Sequence, residues 1–263
     1  MPQYLIGVLS AFGTPFLHGL SNIYDDYLSH NIFKRLTPLV FLSSCTGIVL
    51  LPIIFYLDYP AWLPVDLLFI AFCIAAIEVL YMYPYYWSLR KADTSVVAAL
   101  FSLGRLFVPI FAYFLIGEVL RPLQYTGLAL IIASSTFLTL DLRRLRFNPA
   151  LVLMFFVTAI LAVQAVLFKH LFEQGVSWGS GVTWVSVFEF AIAFILVLIP
   201  ANLRELSAAI RRIPQFGSAY IFNEFLGWTG NMASYYAVFL IPVSVAKAIG
   251  STQPAFVLLF GLL

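Results

Sequence analysis

Nine long apolar stretches constrain this sequence more than any other feature. A helix needs about 20 mostly apolar residues to cross a bilayer. The sequence offers such stretches at 4–23, 37–57, 65–86, 94–116, 123–140, 150–172, 182–200, 218–239 and 243–263. They are apolar all round and do not alternate, so helices are predicted and strands of a membrane barrel are not. The predicted fold class is an all-α polytopic membrane protein.

The composition excludes several other classes. Hydrophobic residues make up 62% of the chain and charged residues 10%, against about 25% charged residues in a soluble domain. Disordered, collagen-like and coiled-coil chains are excluded by the same values. The net charge of +2 gives no reason to expect a nucleic-acid partner. Cys45 and Cys73 lie within apolar stretches, so we interpret them as core residues and not as a disulfide.

No sequence motif indicates an enzyme, a metal or a cofactor. His18, His30 and His170 lie on separate segments without ligand spacing. No nucleophile motif, phosphate-binding loop or dinucleotide fingerprint is present in the sequence. We therefore predict a chain that is not an enzyme and that has no cofactor.

The charges between the stretches predict an orientation. Ten Lys and Arg residues fall in the first, third, fifth and seventh connections: Lys34, Arg35, Arg90, Lys91, Arg143, Arg144, Arg146, Arg204, Arg211 and Arg212. The other connections hold only Arg121 and Lys169. Because cytoplasmic loops carry an excess of Lys and Arg, we expect these ten residues in the cytoplasm and the N-terminus outside.

An internal repeat relates the two halves of the sequence. Residues 94–111 and 243–260 have seven identities in 18 positions at an offset of 149. The identities include Ser95 with Ser244 and Ser102 with Ser251. The same offset pairs Tyr86 with Tyr235. Chance similarity of two apolar helices is the alternative, but the matched serines favour a repeat.

The offset spans five predicted helices, so the second copy would enter the membrane inverted. Inverted repeats are typical of secondary transporters, which bind substrate near the midplane between the halves. We predict a first repeat at 1–148 and a second at 149–263. Ten helices would complete this pattern and nine are found, so we expect the second repeat to lack its last helix.

The repeated segments resemble a known family. The run from Ala92 to Leu100, then Pro109, Gly117-Glu118, Gln124 and Gly127, is similar to the fourth and fifth helices of an EamA-type domain of the drug/metabolite transporter superfamily. The second copy repeats it as 243–248 and Gln253-Pro254, whereas Arg105 stands where the second copy has Pro254. The resemblance implies export or exchange of small metabolites. We interpret Glu118 as structural, fixing the turn before Pro122.

Two cations lie inside predicted spans, where charge is expensive and usually faces a cavity or another charge. Arg105 and Lys247 occupy equivalent helices of the two copies. Together they would attract a carboxylate or a phosphate. The alternatives are that each cation pairs with a carboxylate of the protein, or that Lys247 reaches the interface.

Other polar residues in the spans are weaker candidates. The carboxylates of Glu78, Glu189 and Glu224 would either relay protons or pair with the cations. His18 lies in one stripe with Thr14 and Asn22 and would either carry protons or serve only in packing.

Aromatic and amide side chains supply the remaining candidates for substrate binding. Trp228, Asn231 and Tyr235 continue a stripe that starts at Glu224. Tyr81 lies one turn after Glu78. These residues would line a pocket. The alternatives are interhelical hydrogen bonds for the stripe that starts at Glu224 and a place in the core for Tyr81.

Together these features predict a secondary transporter of the cell (inner) membrane that moves a small polar metabolite, anionic or zwitterionic, by alternating access. Its expected partners are this small molecule, the lipid bilayer, and protons or a counter-substrate. We expect a monomer or homodimer. An exporter of amphipathic or aromatic compounds is one alternative, and a non-transporting membrane scaffold is another.

Overall fold

Every regular element that the structure describes is a helix. The computed structural model describes residues 2–139 and 149–261, so Arg143, Arg144 and Arg146 lie outside the described residues. The helices are α1 (Pro2–Asn31), α2 (Leu36–Val49), α3 (Leu51–Leu57), α4 (Val65–Leu89), α5 (Thr94–Gly104), α6 (Phe107–Ile116), α7 (Pro122–Thr139), α8 (Pro149–Glu173), α9 (Trp178–Val197), α10 (Pro200–Leu240), α11 (Val243–Gly250) and α12 (Gln253–Gly261).

Within the described ranges, seven segments are long and apolar enough to cross a bilayer. They are Pro2–Asn31, Leu36–Leu57, Val65–Leu89, Thr94–Ile116, Val152–Glu173, Trp178–Val197 and Val243–Gly261. The predicted stretch 123–140 corresponds to α7, whose apolar part, Pro122–Ser134, is shorter. The predicted stretch 218–239 forms the second part of α10.

The first helix is longer than predicted. The sequence prediction ended it at residue 23, before Asp25 and Asp26. In the structure α1 continues to Asn31. The Asp25 carboxylate accepts hydrogen bonds from Tyr85 and Asn223 on neighbouring helices, and these bonds allow a polar residue to stay in a buried helix.

The predicted start of the eighth helix at residue 218 is also wrong. The seventh connection is helical, and α10 begins at Pro200 and runs for 41 residues. At 1.5 Å per residue this is about 60 Å, twice the hydrocarbon core of a bilayer. The early part of α10 packs on the α1–α2 connection, where the Lys34 amide donates to Glu205 Oε1 at 3.1 Å.

Two equivalent helices of the predicted repeat are each broken in the middle. The first breaks between α5 and α6, and the second breaks between α11 and α12. Pro109 and Pro254 lie four residues after Arg105 and Gly250. Since proline has no N–H, it cannot bond the carbonyl four residues earlier. At the first break Val108 N instead donates to Arg105 O.

The two breaks meet in the centre of the bundle. The Ser102 hydroxyl donates to Ser251 O at 2.8 Å. Around this contact α5 packs on α8, α7 and α12, and α12 also packs on α1. The long antiparallel pair of α1 and α10 closes the other side of the bundle.

Glu118 has a different structural role from the one predicted. Its carboxylate accepts hydrogen bonds from the backbone amides of Val243 at 2.8 Å and Ser244 at 3.1 Å. These amides are in the first turn of α11, whose N–H groups have no partner within the helix. The turn itself depends on Gly117, which has a positive φ of 69°. Glu118 therefore caps a helix of the other half of the chain.

The two ends of the bundle differ in chemistry. Arg90 clamps the end of α1, with Nε donating to Ser29 O at 2.8 Å and Nη1 to Lys34 O at 3.2 Å. Partial burial lowers the pKa of this guanidinium. We call the end that carries Lys34, Arg90 and Arg212 the basic end. At the opposite end, the connection before α4 is held on the start of α9, where Gly179 N donates to Asp58 Oδ2 at 2.6 Å.

Candidate functional site

A cavity of about 220 Å³ lies in the centre of the bundle. Most of the helices contribute to its wall, including both broken ones. All ten side chains that the sequence analysis named as candidates line it: His18, Glu78, Tyr81, Arg105, Glu189, Glu224, Trp228, Asn231, Tyr235 and Lys247. The structure therefore brings the candidates together, whereas their roles stay predictions.

Arg105 lies at the first helix break and is only partly satisfied. Its Nη2 donates to Gln253 Oε1 at 2.9 Å, and its guanidinium lies against Gly250. Nη1 is buried and has no hydrogen-bond partner among the described residues. A buried donor without a partner carries a free-energy cost of about 1–3 kcal/mol. This atom is thus available to an acceptor that enters the cavity.

Lys247 is held by a neutral group. Its Nζ donates to the hydroxyl of Ser234 at 2.8 Å. Across residues 2–139 and 149–261, no carboxylate oxygen lies within 4 Å of either Lys247 or Arg105. The sequence analysis had left open that the protein's own carboxylates pair with both cations, and the described residues show no such pair.

The three predicted glutamates have different surroundings. Glu78 is 7% exposed and accepts hydrogen bonds from Gln164 and from the Tyr235 hydroxyl at 3.1 Å. Glu224 accepts from the Ser43 hydroxyl at 2.6 Å. Glu189 lines the cavity on α9. The partners of Glu78 and Glu224 are neutral donors, which stabilise a carboxylate without cancelling its charge.

The aromatic candidates line the cavity, and two of them also pack on neighbouring rings. Tyr235 is buried, and its ring stacks on Phe168 with centroids 4.3 Å apart. Tyr81 packs edge-on against Phe101. Trp228 and Asn231 are half-buried at the cavity wall, one turn apart on α10.

His18 lies at the contact between α1 and α10, opposite Gly230. A side chain at Gly230 would collide with the imidazole ring. The ring therefore depends on a glycine across the helix pair, and its Nε2 has no hydrogen-bond partner in the described part of the chain.

Sequence reasoning missed an aspartate at the wall of this cavity. Asp25 is 9% exposed and bonds to Tyr85 Oη at 2.8 Å and Asn223 Nδ2 at 2.8 Å. The stripe of Thr14, His18 and Asn22 continues to Asp25 at helical spacing, a signal that could have found it. Gln253 and Ser234, the partners of the two cations, were also not among the site candidates, although Gln253 belongs to the repeated motif.

The described residues contain no group of three or more His, Cys, Asp or Glu side chains that could hold a metal ion.

Comparisons with known proteins identify the family. The model of the EamA-like transporter family matches residues 5–140. A chain in a solved crystal structure is similar to this one with a TM-score of 0.67 and 16% sequence identity, over 99% of this chain and 88% of the other. At this identity the similarity shows a shared fold. No curated protein matches the chain. The protein is an integral multi-pass membrane protein that belongs to the EamA-like transporter family, within the drug/metabolite transporter superfamily.

Proposed function

We propose that the chain moves a small anionic or zwitterionic metabolite across the membrane by alternating access. The observation that carries this proposal is the pair of cations in the central cavity. Arg105 and Lys247 face it without a carboxylate partner among the described residues. A substrate carboxylate or phosphate would supply the missing acceptor for Arg105 Nη1. Lys247 would add a second, more mobile charge.

We also propose that residues 1–148 and 149–263 are two inverted repeats, part of a ten-helix architecture. The hydrogen bond between Ser102 and Ser251 joins residues 149 positions apart, the same offset as the sequence repeat. Both breaks lie beside the cavity, and discontinuous helices typically form the substrate site of inverted-repeat transporters. Rocking of the two halves about this contact would expose the cavity to each side in turn.

The proposed environment is the cell (inner) membrane, with the basic end in the cytoplasm. The excess of Lys and Arg at that end supports this orientation. We propose a protein that is not an enzyme and that acts as a monomer or homodimer, with protons or a counter-substrate as its further partners.

Solute counterflow in proteoliposomes tests the proposed function. Vesicles are loaded in turn with a dicarboxylate, inorganic phosphate, a sugar phosphate, an amino acid and a neutral aromatic compound, and uptake of the labelled solute is followed. We expect wild-type protein to exchange a solute that carries an anionic group. Arg105→Gln and Lys247→Gln should each abolish most of this exchange.

Lys169→Gln is the matched control, since Lys169 is a partly buried cation that bonds the carbonyls of Val238 and Ile241 at 3.2 Å and does not line the cavity. It should exchange like wild type. Absence of exchange for every solute would contradict transport and favour a membrane scaffold.

An exporter of amphipathic or aromatic compounds is the second candidate. Tyr81, Tyr85, Phe101 and Trp228 line the same cavity and could stack on an aromatic solute. Under this alternative, a neutral or cationic aromatic compound would exchange, and both cation variants would retain that exchange.

A further inference from the structure

The proposed anion site does not use the part of the cavity wall around Asp25. Asp25 lies seven residues after His18 on α1, which is about 10 Å nearer the basic end at 1.5 Å per residue. The side chains that bond its carboxylate, from α4 and α10, are neutral. Its carboxylate bonds to Tyr85 Oη at 2.8 Å, Tyr86 Oη at 3.4 Å and Asn223 Nδ2 at 2.8 Å.

No side-chain cation compensates this charge. Within the described ranges, no Lys, Arg or His nitrogen lies within 4 Å of the Asp25 carboxylate. Arg90, which holds the end of α1, donates its hydrogen bonds to the backbone oxygens of Ser29, Phe33 and Lys34 and not to Asp25. Glu224 lines the same cavity and adds a second carboxylate. A buried carboxylate with neutral partners remains costly unless it gains a positive partner.

A second, independent observation indicates an unfilled position beside Asp25. Asn22 is 5% exposed, lines the cavity, and accepts a hydrogen bond from Tyr85 Oη at 3.1 Å. Its Nδ2 has no partner in the described part of the chain. Turning this amide by 180° would let Nδ2 donate to Tyr85, whose hydroxyl would still donate to Asp25. In that orientation the carbonyl oxygen Oδ1 faces the unfilled position and can accept from or ligate a cation, which the NH2 group cannot do.

We propose that Asp25 and Asn22 form a binding site for a monovalent cation, H⁺ or Na⁺, at the basic-end side of the cavity. The hydroxyls of Tyr85, Tyr86 and Ser21 and the amide of Asn223 support it, with Ser21 donating to Asn223 Oδ1 at 2.7 Å. Oxygen donors of this kind suit Na⁺, which is a hard cation, and the Asp25 carboxylate can itself take up H⁺. Coupling of this cation to substrate movement rests on the proposed transport function, whereas cation binding does not.

Several other titratable or charged groups lie near the site and must be separated from Asp25 in a test. They are Asp26 and His30 on α1, Tyr85, Tyr86 and Arg90 on or just after α4, Asp93 before α5, and Glu224 on α10. Asp26 offers a matched control, since it is the adjacent aspartate on the same helix and instead pairs with His30 at 3.1 Å.

Thermal unfolding of the purified full chain in detergent tests the site without any substrate. Wild type, Asp25→Asn and Asp26→Asn are compared in NaCl and in choline chloride at pH 7.5, and in choline chloride at pH 5.5. A ligand that binds the folded state raises its stability. We expect Na⁺ to raise the wild-type Tm if the ion is Na⁺, and acid to raise it if the ion is H⁺.

The rise in Tm caused by Na⁺ or by acid should be lost in Asp25→Asn and kept in Asp26→Asn. If Asp25→Asn does not fold, Asn22→Leu replaces it. That variant should need at least about tenfold more cation for the half-maximal shift, as expected for the loss of an oxygen ligand. Equilibrium binding of ²²Na⁺ to the same proteins at pH 7.5 gives a second readout for the Na⁺ case.

Three results would overturn the proposal: a wild-type Tm that responds to neither ion, an unchanged response in Asp25→Asn or its substitute Asn22→Leu, or loss of the response in Asp26→Asn as well. The counterflow experiment tests the transport function separately. Wild-type protein can exchange a solute whether or not its Tm responds to cations.

Discussion

Gly104 ends α5 directly against α8. A side chain at this position would collide with the Cβ and Oγ1 atoms of Thr158, and its Cβ would lie 3.1 Å from the Thr158 carbonyl carbon. Since backbone must then move, we expect Gly104→Ala to destabilise the fold by about 1–3 kcal/mol. The measurement is thermal unfolding in detergent.

Gly127→Ala is the matched control for this prediction. Nothing lies within 4 Å of a Cβ at Gly127, and alanine favours the helix more than glycine does. We expect its Tm to be unchanged or raised. Equal Tm values for the Gly104 and Gly127 variants would contradict the packing at the first helix break.

At the residue scale, the sequence predicted ten of the side chains that line the cavity and missed Asp25. Polar side chains such as Glu78, Arg105 and Lys247 stand out in apolar helices because burying them in lipid is costly. Asp25 lies just outside the predicted first span, which ends at residue 23. Only the hydroxyls and amides of other helices make its burial possible, and sequence spacing does not show which helices will meet.

At the element scale, Glu118 links the two halves of the chain. Its carboxylate bonds two amides at the start of α11, a helix that also carries Lys247. We expect Glu118→Ala to destabilise the protein by about 1–2 kcal/mol, the usual effect of losing a helix cap. Glu118→Gln keeps one acceptor oxygen. Its stability, measured by chemical or thermal unfolding, should lie between those of the alanine variant and wild type.

Glu173→Ala provides the comparison for Glu118, since Glu173 is an exposed carboxylate at the end of α8. It should unfold like wild type. If the Glu118 and Glu173 variants unfold alike, the cap contributes nothing to stability.

The element boundaries also show where sequence reasoning stops. The length of the apolar stretches predicted most of the spans, because a helix needs about 20 mostly apolar residues to cross a bilayer. The start of α10 was missed, since Arg204, Arg211 and Arg212 are typical of a connection. The segment is helical, with Pro200 in its first turn and Glu205 bonded to Lys34. A helix that lies at the end of a bundle tolerates charges that a spanning helix does not.

At the scale of the whole molecule, the basic and opposite ends predict a labelling pattern. Lys91 is exposed at the basic end, and Tyr59 is 79% exposed at the opposite end. In a Cys45→Ser, Cys73→Ser background, Tyr59→Cys should react with an impermeant maleimide added outside intact cells. Lys91→Cys should react only after the membrane is opened. The reverse pattern would invert the proposed orientation.

For the whole molecule, we predict that Arg105 receives the anionic group of the substrate. Equilibrium binding of the exchanged anion to purified wild type and Arg105→Gln measures this contact. Loss of a hydrogen bond to a charged group, worth about 1.5–3 kcal/mol, predicts a Kd about 10- to 100-fold higher in the variant. Equal Kd values in the two proteins, with Arg105→Gln folded, would contradict the account and return this cation to a structural role.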